Sequence, residues 1–154
     1  ISYSFSKKYF SEKFINNHFH NCEYENYDIK TIKEITEIID KTNGKKYIGK
    51  KLLTSKRKLR PLKGKVNRRI VSKETDWQTY YGSNELIKKI VSEEGPNRFE
   101  RHILRLCFSK GELSYREAEL QFKNKVLFKE EYYNDFIGCR IHSKHVNKMK
   151  DDDV

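Results

Sequence analysis

The sequence predicts an α+β (mixed α/β) domain, a small sheet flanked by helices, and three features carry that expectation. Two short apolar runs are joined by Asn43-Gly44, a capped helical pattern leads into a compact apolar run at Phe99–Phe108, and a second capped helical pattern follows Ser114. In chain order, residues 1–30 are aromatic and polar, with Phe5, Tyr9, Phe10, Phe14, Ile15 and Phe19 near helical spacing, and read as a partly helical N-terminal extension. A domain over residues 31–146 follows, with an exposed acidic tail over 147–154.

Within the domain, Ile35, Ile38 and Ile39 mark one strand and Tyr47-Ile48 a second, with the Asn-Gly pair as their turn. The stretch beyond them holds Pro61 and Gly64 without periodicity, so a long loop is expected, its ends becoming helical or extended on binding. A helix is expected over Glu85–Glu94, capped by Ser83, with Leu86, Ile87, Ile90 and Val91 on one face and Gly95-Pro96 as its stop. Phe99–Phe108 is apolar enough to be buried on both faces, which predicts a central strand. Ser114 and Glu117 fit a capping box, predicting a helix over Tyr115–Phe128 with Tyr115, Ala118, Phe122 and Val126 as its apolar stripe. Tyr132–His142 is expected to be extended.

Composition narrows the partner. Of 154 residues, 33 are Lys or Arg and 22 Asp or Glu, a net charge of +11, and the mean hydropathy is −0.93. Lys50–Lys73 holds 11 basic residues and no acidic one, so the rest of the chain is balanced at 22 of each. A basic surface of that kind binds polyanions with counterion release, which points to nucleic acid. Cys22, Cys107 and Cys139 are an odd set without framework spacing and suit free thiols in a reducing compartment. No apolar run reaches the length of a membrane span.

Two stretches, Asn43-Gly44-Lys45-Lys46-Tyr47-Ile48-Gly49-Lys50-Lys51 and Asp76-Trp77-Gln78-Thr79-Tyr80-Tyr81-Gly82-Ser83, resemble the freestanding phage homing endonucleases of the GIY-YIG family. The order continues through Phe99–Leu106, Gly111–Tyr115 with Glu117-Ala118 and Gln121-Phe122, then Tyr132-Tyr133-Asn134 and Arg140-Ile141-His142, covering roughly Thr31 to Val146. The resemblance implies a GIY-YIG-type sheet, one Mg²⁺ or Mn²⁺ ion held by a helix glutamate, and hydrolysis of double-stranded DNA in the cytoplasm of an infected bacterial cell. No membrane partner is expected, and oligomeric state is not legible.

Phosphodiester hydrolysis needs an activated water, a Lewis acid on a phosphate oxygen and a cation for the developing charge. The resemblance assigns nucleophile activation to Tyr47, charge stabilisation to Arg57 with Lys51 in reserve, and orientation of the site to Asn134. His142 is a candidate hydrogen-bond donor to phosphate. For the metal, Glu117 matches the motif but also fits N3 of the capping box, whereas helical phase points Glu119 inward. Lys50, Lys51, Lys56, Arg57, Lys58, Arg60, Lys63, Lys65, Arg68 and Arg69 are the expected DNA contacts. Cys107, Cys139, His142 and His145 could be gathered around zinc, though their spacing is unusual for it.

One departure from the family pattern bears on activity. Where the family carries its first tripeptide, this chain reads Glu34-Ile35-Thr36, so glycine has become glutamate and tyrosine threonine. Thr36 offers a hydroxyl without the reach or acidity of a phenol. The alternative reading is therefore a GIY-YIG-fold DNA-binding protein with impaired catalysis, and an unrelated basic RNA-binding protein is a third.

Overall fold

The computed structural model describes residues 32–147 and Met149, so the expected N-terminal extension and the residues from Asp151 onward lie outside the described residues. In chain order the described elements are β1 (Lys33–Asp40), β2 (Lys46–Leu52), β3 (Thr54–Leu59), β4 (Arg69–Glu74), α1 (Glu85–Glu94), β5 (Phe99–Cys107), α2 (Lys110–Lys123) and α3 (Ser143–Val146). Antiparallel pairing beside helices makes this an α+β fold, as the sequence predicts. The chain divides into two units, one holding Ile32 with Leu52–Thr79, the other Lys33–Lys51 with Tyr80 onward.

The second unit is built on a three-stranded sheet of order β2-β1-β5. β1 is thus the central strand, and Phe99–Cys107 lies at an edge, contrary to the expectation from its apolar content. Glu100 and His102 on β5 are exposed, whereas β1 buries Ile35 and Ile38 together with Glu34, Thr36 and Asp40. β5 pairs antiparallel with β1 from Asp40–Phe99 to Lys33–Cys107, with a register shift between Ile35 and Thr36.

The β1–β2 turn comes from the local chemistry of Asn43 and Gly44. Gly44 takes φ +74, a region that glycine enters without a Cβ clash, and the Asn43 side chain accepts from Lys45 N at 2.9 Å. Beneath the turn the Asp40 carboxylate receives Arg98 Nε at 2.9 Å, Arg98 Nη2 at 2.8 Å and the Tyr133 hydroxyl at 2.6 Å. The Arg98 fork, more than any other partner, holds this carboxyl well below its ordinary range. Ile38, Tyr47, Ile87 and Phe99 form the core cluster, with Tyr81, Ile90, Val91 and Tyr133 packed against it.

Helix α1 has the predicted bounds, but its cap is Asn84 rather than Ser83. The Asn84 side chain accepts from Leu86 N at 3.0 Å and Ile87 N at 3.2 Å, and Gly95 ends the helix at φ +84. Its buried residue is Ile87, while Leu86 is exposed. Helix α2 begins earlier than expected. Ser109 is its N-cap, accepting from Glu112 N at 3.0 Å, and the Glu112 carboxylate accepts from Phe108 N at 2.9 Å. The capping motif is therefore Ser109-x-x-Glu112, and Ser114 lies inside the helix. The buried face is Leu113, Arg116, Glu117, Ala118 and Gln121, which leaves Tyr115 and Phe122 exposed instead of in the stripe.

The first unit holds the other correction. Its basic segment is not one long loop, because β3 and β4 pair antiparallel from Thr54–Glu74 to Leu59–Arg69. Tyr132–His142 is not a strand either. It carries one parallel bridge, between Tyr132 and Lys46, and is otherwise irregular.

Candidate active site

The site is assembled along β2, whose outer edge is closed by the segment around Asn134. Lys46 N donates to Glu131 O at 2.8 Å and Tyr133 N to Lys46 O at 2.7 Å. At Ile48 the Asn134 side chain takes over from the backbone. Its Oδ1 accepts from Ile48 N at 3.0 Å and its Nδ2 donates to Ile48 O at 2.8 Å. An amide is the one uncharged side-chain group that offers both a donor and an acceptor in this geometry. Gln121 of α2 adds a third bond, Nε2 to Ile48 O at 3.0 Å. The Tyr47–Gly49 segment is thereby held from both α2 and the chain beyond it.

Tyr47 is buried, and its ring is positioned by two glycines. A Cβ at Gly49 would lie 2.6 Å from Tyr47 Cε1, and one at Gly82 would lie 2.8 Å from the same atom. Gly82 also sits at φ +96. The Tyr47 hydroxyl is 2.7 Å from Ser83 Oγ and accepts weakly from Ser83 N at 3.4 Å. Residues 80–84 thus divide several tasks among neighbours. Tyr81 packs at 6.4 Å from the Phe99 ring, Gly82 admits the Tyr47 ring, Ser83 meets its hydroxyl, and Asn84 caps α1 while donating to Tyr133 O at 2.8 Å.

An open cavity of about 450 Å³ is lined by Tyr47, Lys50, Tyr80, Ser83, Glu117 and Asn134, among others. Glu117 retains 9% exposure and pairs with Lys50, Nζ to Oε2 at 2.8 Å; Lys50 Nζ also donates to Ser114 Oγ at 3.3 Å. Burial raises the Glu117 pKa, and the Lys50 ammonium opposes that rise. Tyr80 is held above the ordinary phenol range, first by burial and then by the neighbouring Tyr47 and Glu117. It therefore stays protonated and can donate. Its ring carries the Lys51 ammonium at 4.4 Å from the centroid.

Of the residues singled out in the sequence, Tyr47, Lys50, Glu117 and Asn134 come together at this cavity. Glu119 does not line it. It is partly exposed and accepts from Arg116 Nη1 at 2.9 Å, so the inward phase inferred for it fails with the helix start. His142 is exposed at the start of α3, its backbone N donating to His145 Nδ1 at 3.1 Å. Thr36 is fully buried, its hydroxyl without a hydrogen-bond partner among the described residues. Arg57 belongs to β3 in the other unit. Tyr80 and Ser83 were not singled out as site residues, although both lie in the Asp76–Ser83 stretch that carries the resemblance.

Glu34, the other departure, is 0% exposed, and neither carboxylate oxygen has a hydrogen-bond partner among the described residues. Burial pushes its pKa up from 4.5 to about 7, against the pull of Arg101 and Lys51. The folded chain then holds a proton that the unfolded chain releases across that window. This group's contribution to stability is full below pH 4.5 and declines as pH rises to about 7, by roughly 3 kcal/mol in all. Glu34→Gln should remove this decline, so its urea midpoint should exceed that of the parent chain by more at pH 8 than at pH 5. Parallel curves for the two proteins would contradict it.

Among the described residues no three His, Cys, Asp or Glu side chains gather as a metal cage, so the Cys107, Cys139, His142 and His145 set is not assembled. A single buried carboxylate facing an open cavity is instead the donor set of a hard divalent ion that keeps water and takes phosphate oxygens as ligands. Glu117 fits that description. No helix among the described residues is long and apolar enough to cross a membrane.

A tyrosine hydroxyl, a carboxylate paired with an ammonium, and an amide-fixed strand edge surround one open cavity in a small α+β domain. Residues 16–137 match the family model described as "Putative endonuclease segE, GIY-YIG domain", and the chain belongs to that family of GIY-YIG DNA endonuclease domains. The match begins inside the segment read from sequence as an extension. No curated protein and no solved structure matches the chain.

Proposed function

We propose that this chain hydrolyses phosphodiester bonds of double-stranded DNA with Mg²⁺ or Mn²⁺, in the manner of phage homing endonucleases. The observation that carries the proposal is the convergence of Tyr47, Lys50, Glu117 and Asn134 on one cavity. Glu117 would hold the ion. When bound there, the ion would supply Lewis acidity toward a phosphate oxygen. Lys50 opposes the rise that burial gives the Glu117 pKa and provides positive charge beside the phosphate. The Tyr47 hydroxyl orients the attacking water and takes up its proton as its own proton passes to Ser83 Oγ, 2.7 Å away, and from that exposed hydroxyl to solvent.

Tyr80 resolves the difficulty posed by Thr36. The resemblance expects a second phenol from the first strand, and there Thr36 is buried away from solvent. Tyr80 brings a protonated phenol to the cavity wall beside Tyr47 and Ser83. Two phenols, Tyr47 and Tyr80, therefore line the cavity without the first tripeptide, which supports activity despite Thr36.

Supercoiled plasmid incubated with the full chain should be converted to nicked or linear DNA in Mg²⁺ and left intact in excess chelator. Steeply salt-dependent duplex binding with no cleavage in Mg²⁺ or Mn²⁺ would instead establish the impaired, binding-only reading.

A further inference from the structure

The β3–β4 hairpin has a construction that loop-mediated DNA contact does not require. It forms a sheet of two strands, and every residue from Lys56 to Leu59 and from Arg69 to Ser72 is exposed. Its exposed apolar residues include Val66 at 93% and Ile70 at 64%. Two-stranded ribbons are marginal in water, and this one is fastened at its base. Thr75 N donates to Leu53 O at 2.9 Å, Thr75 Oγ1 to Leu52 O at 2.6 Å, and Trp77 Nε1 to the Glu74 carboxylate at 2.9 Å. At its tip Lys65 N donates to Leu62 O at 2.9 Å across Gly64, which takes φ +80.

The register sorts the side chains. Directly opposed residues on antiparallel strands project from the same face. Arg57 opposes Val71, Leu59 opposes Arg69 and Ser55 opposes Lys73, so this face carries the two arginines on one diagonal, Leu59 and Val71 on the other, and Lys73 nearer the base. Lys56 opposes Ser72 and Lys58 opposes Ile70, so the two lysines share the other face. The guanidinium fork is the group that reads guanine O6 and N7 bidentately, apolar side chains meet the thymine methyl, and lysine acts as a point charge toward phosphate.

We propose that the β3–β4 hairpin enters the major groove of duplex DNA as a two-stranded ribbon and reads guanines there through Arg57 and Arg69. The absence of acidic residues from Lys50 to Lys73 gives the charge complementarity. Two strands about 4.8 Å apart fit a groove about 12 Å wide. The deep, narrow major groove of duplex RNA excludes such a ribbon, so the surface suits DNA. Arg57 thereby has a task different from the phosphate stabilisation that the family resemblance implies. The inference rests on the nuclease reading only for the choice of partner.

Binding without cleavage tests it. The full chain, in chelator, is used to select from a random-sequence duplex library, and a site containing guanines should be enriched. Arg57→Lys combined with Arg69→Lys keeps the charge and removes the fork. This pair should reduce preference for the selected site over random duplex by roughly 10–100-fold while random-duplex affinity stays within about twofold. Replacing the selected guanines by 7-deazaguanine should reproduce that loss in the parent chain and add nothing in the double variant. Lys56→Ala with Lys58→Ala should weaken all duplexes alike and reduce the slope of log affinity against log salt by about 2. Enrichment of the same site by the double-lysine variant, insensitivity to 7-deazaguanine, the absence of any enriched sequence, or tighter binding to RNA duplex would each overturn the proposal. Failure of plasmid cleavage would leave these binding results unaffected and would bear on the nuclease reading alone.

Discussion

Tyr47→Phe is expected to lower the single-turnover rate of DNA cleavage by roughly 10²–10⁴-fold, the range over which a positioned proton-transfer group acts. The substitution removes one oxygen and nothing else. The ring remains against Gly49 and Gly82, so the packing that holds β2 to the residue 80–84 segment persists. The lost hydrogen bond to Ser83 Oγ, 2.7 Å long, should lower stability by about 1 kcal/mol. Binding to a duplex in chelator should change by less than twofold, because the basic segment Lys50–Lys73 is untouched. A rate within threefold of the parent would remove Tyr47 from the reaction and leave it as a core aromatic.

Gly82→Ala should damage both stability and activity, and its two effects are separable. The residue sits at φ +96, where an L side chain is strained by roughly 1–3 kcal/mol. Its new Cβ would lie 2.8 Å from Tyr47 Cε1 and 3.3 Å from Ile38 Cδ1, an overpacking that typically adds about 1–3 kcal/mol. Either the Tyr47 ring or the backbone before Ser83 must shift, and a displacement of about 1 Å at a reacting group can reduce the rate about 100-fold. Gly44→Ala is the matched control. Gly44 is also at positive φ, +74, yet nothing lies within 4 Å of its Cβ position. That variant should lose stability and keep its cleavage rate once folded. Equal activity losses in the two variants would show that strain alone, not contact with Tyr47, accounts for the effect.

Each element that the sequence misplaces has its own physical cause. Ser109-x-x-Glu112 and Ser114-x-x-Glu117 both satisfy the capping-box pattern, and Gly111 makes the first look like a loop. In the fold that glycine is a point of close packing, since a Cβ there would lie 2.7 Å from His145 Cβ of α3. The choice between the two motifs is a tertiary one, and with it goes the phase of the helix. It moves Glu117 from a cap to a buried mid-helix carboxylate and turns Glu119 outward to Arg116. The β3–β4 hairpin was hidden for a different reason. All of β4 is exposed, so the alternation of apolar and polar residues that marks a half-buried strand is absent.

Tyr47-Ile48-Gly49 was legible because its residues answer a local need. The glycine makes room for the tyrosine ring and the isoleucine is buried. Asn134 was legible only through resemblance, because its bonds to Ile48 span 86 residues of sequence. The central position of β1 was obscured by Glu34, Thr36 and Asp40, polar residues on the most buried strand of the sheet. Arg98 and Tyr133 answer Asp40, whereas Glu34 is accommodated by a raised pKa.

The central claim is that the cavity holding Tyr47 and Glu117 cleaves DNA with a divalent ion although Thr36 stands in the first strand. Its most direct test is the rate of plasmid cleavage in Mg²⁺ by the full chain, by Glu117→Gln and by Glu119→Gln. Expected are cleavage by the parent chain, a loss of at least about 100-fold in Glu117→Gln, and a rate per folded molecule within about threefold of the parent in Glu119→Gln, whose carboxylate lies off the cavity and pairs with the buried Arg116. Cleavage undiminished in Glu117→Gln, or abolished in Glu119→Gln alone, would contradict it.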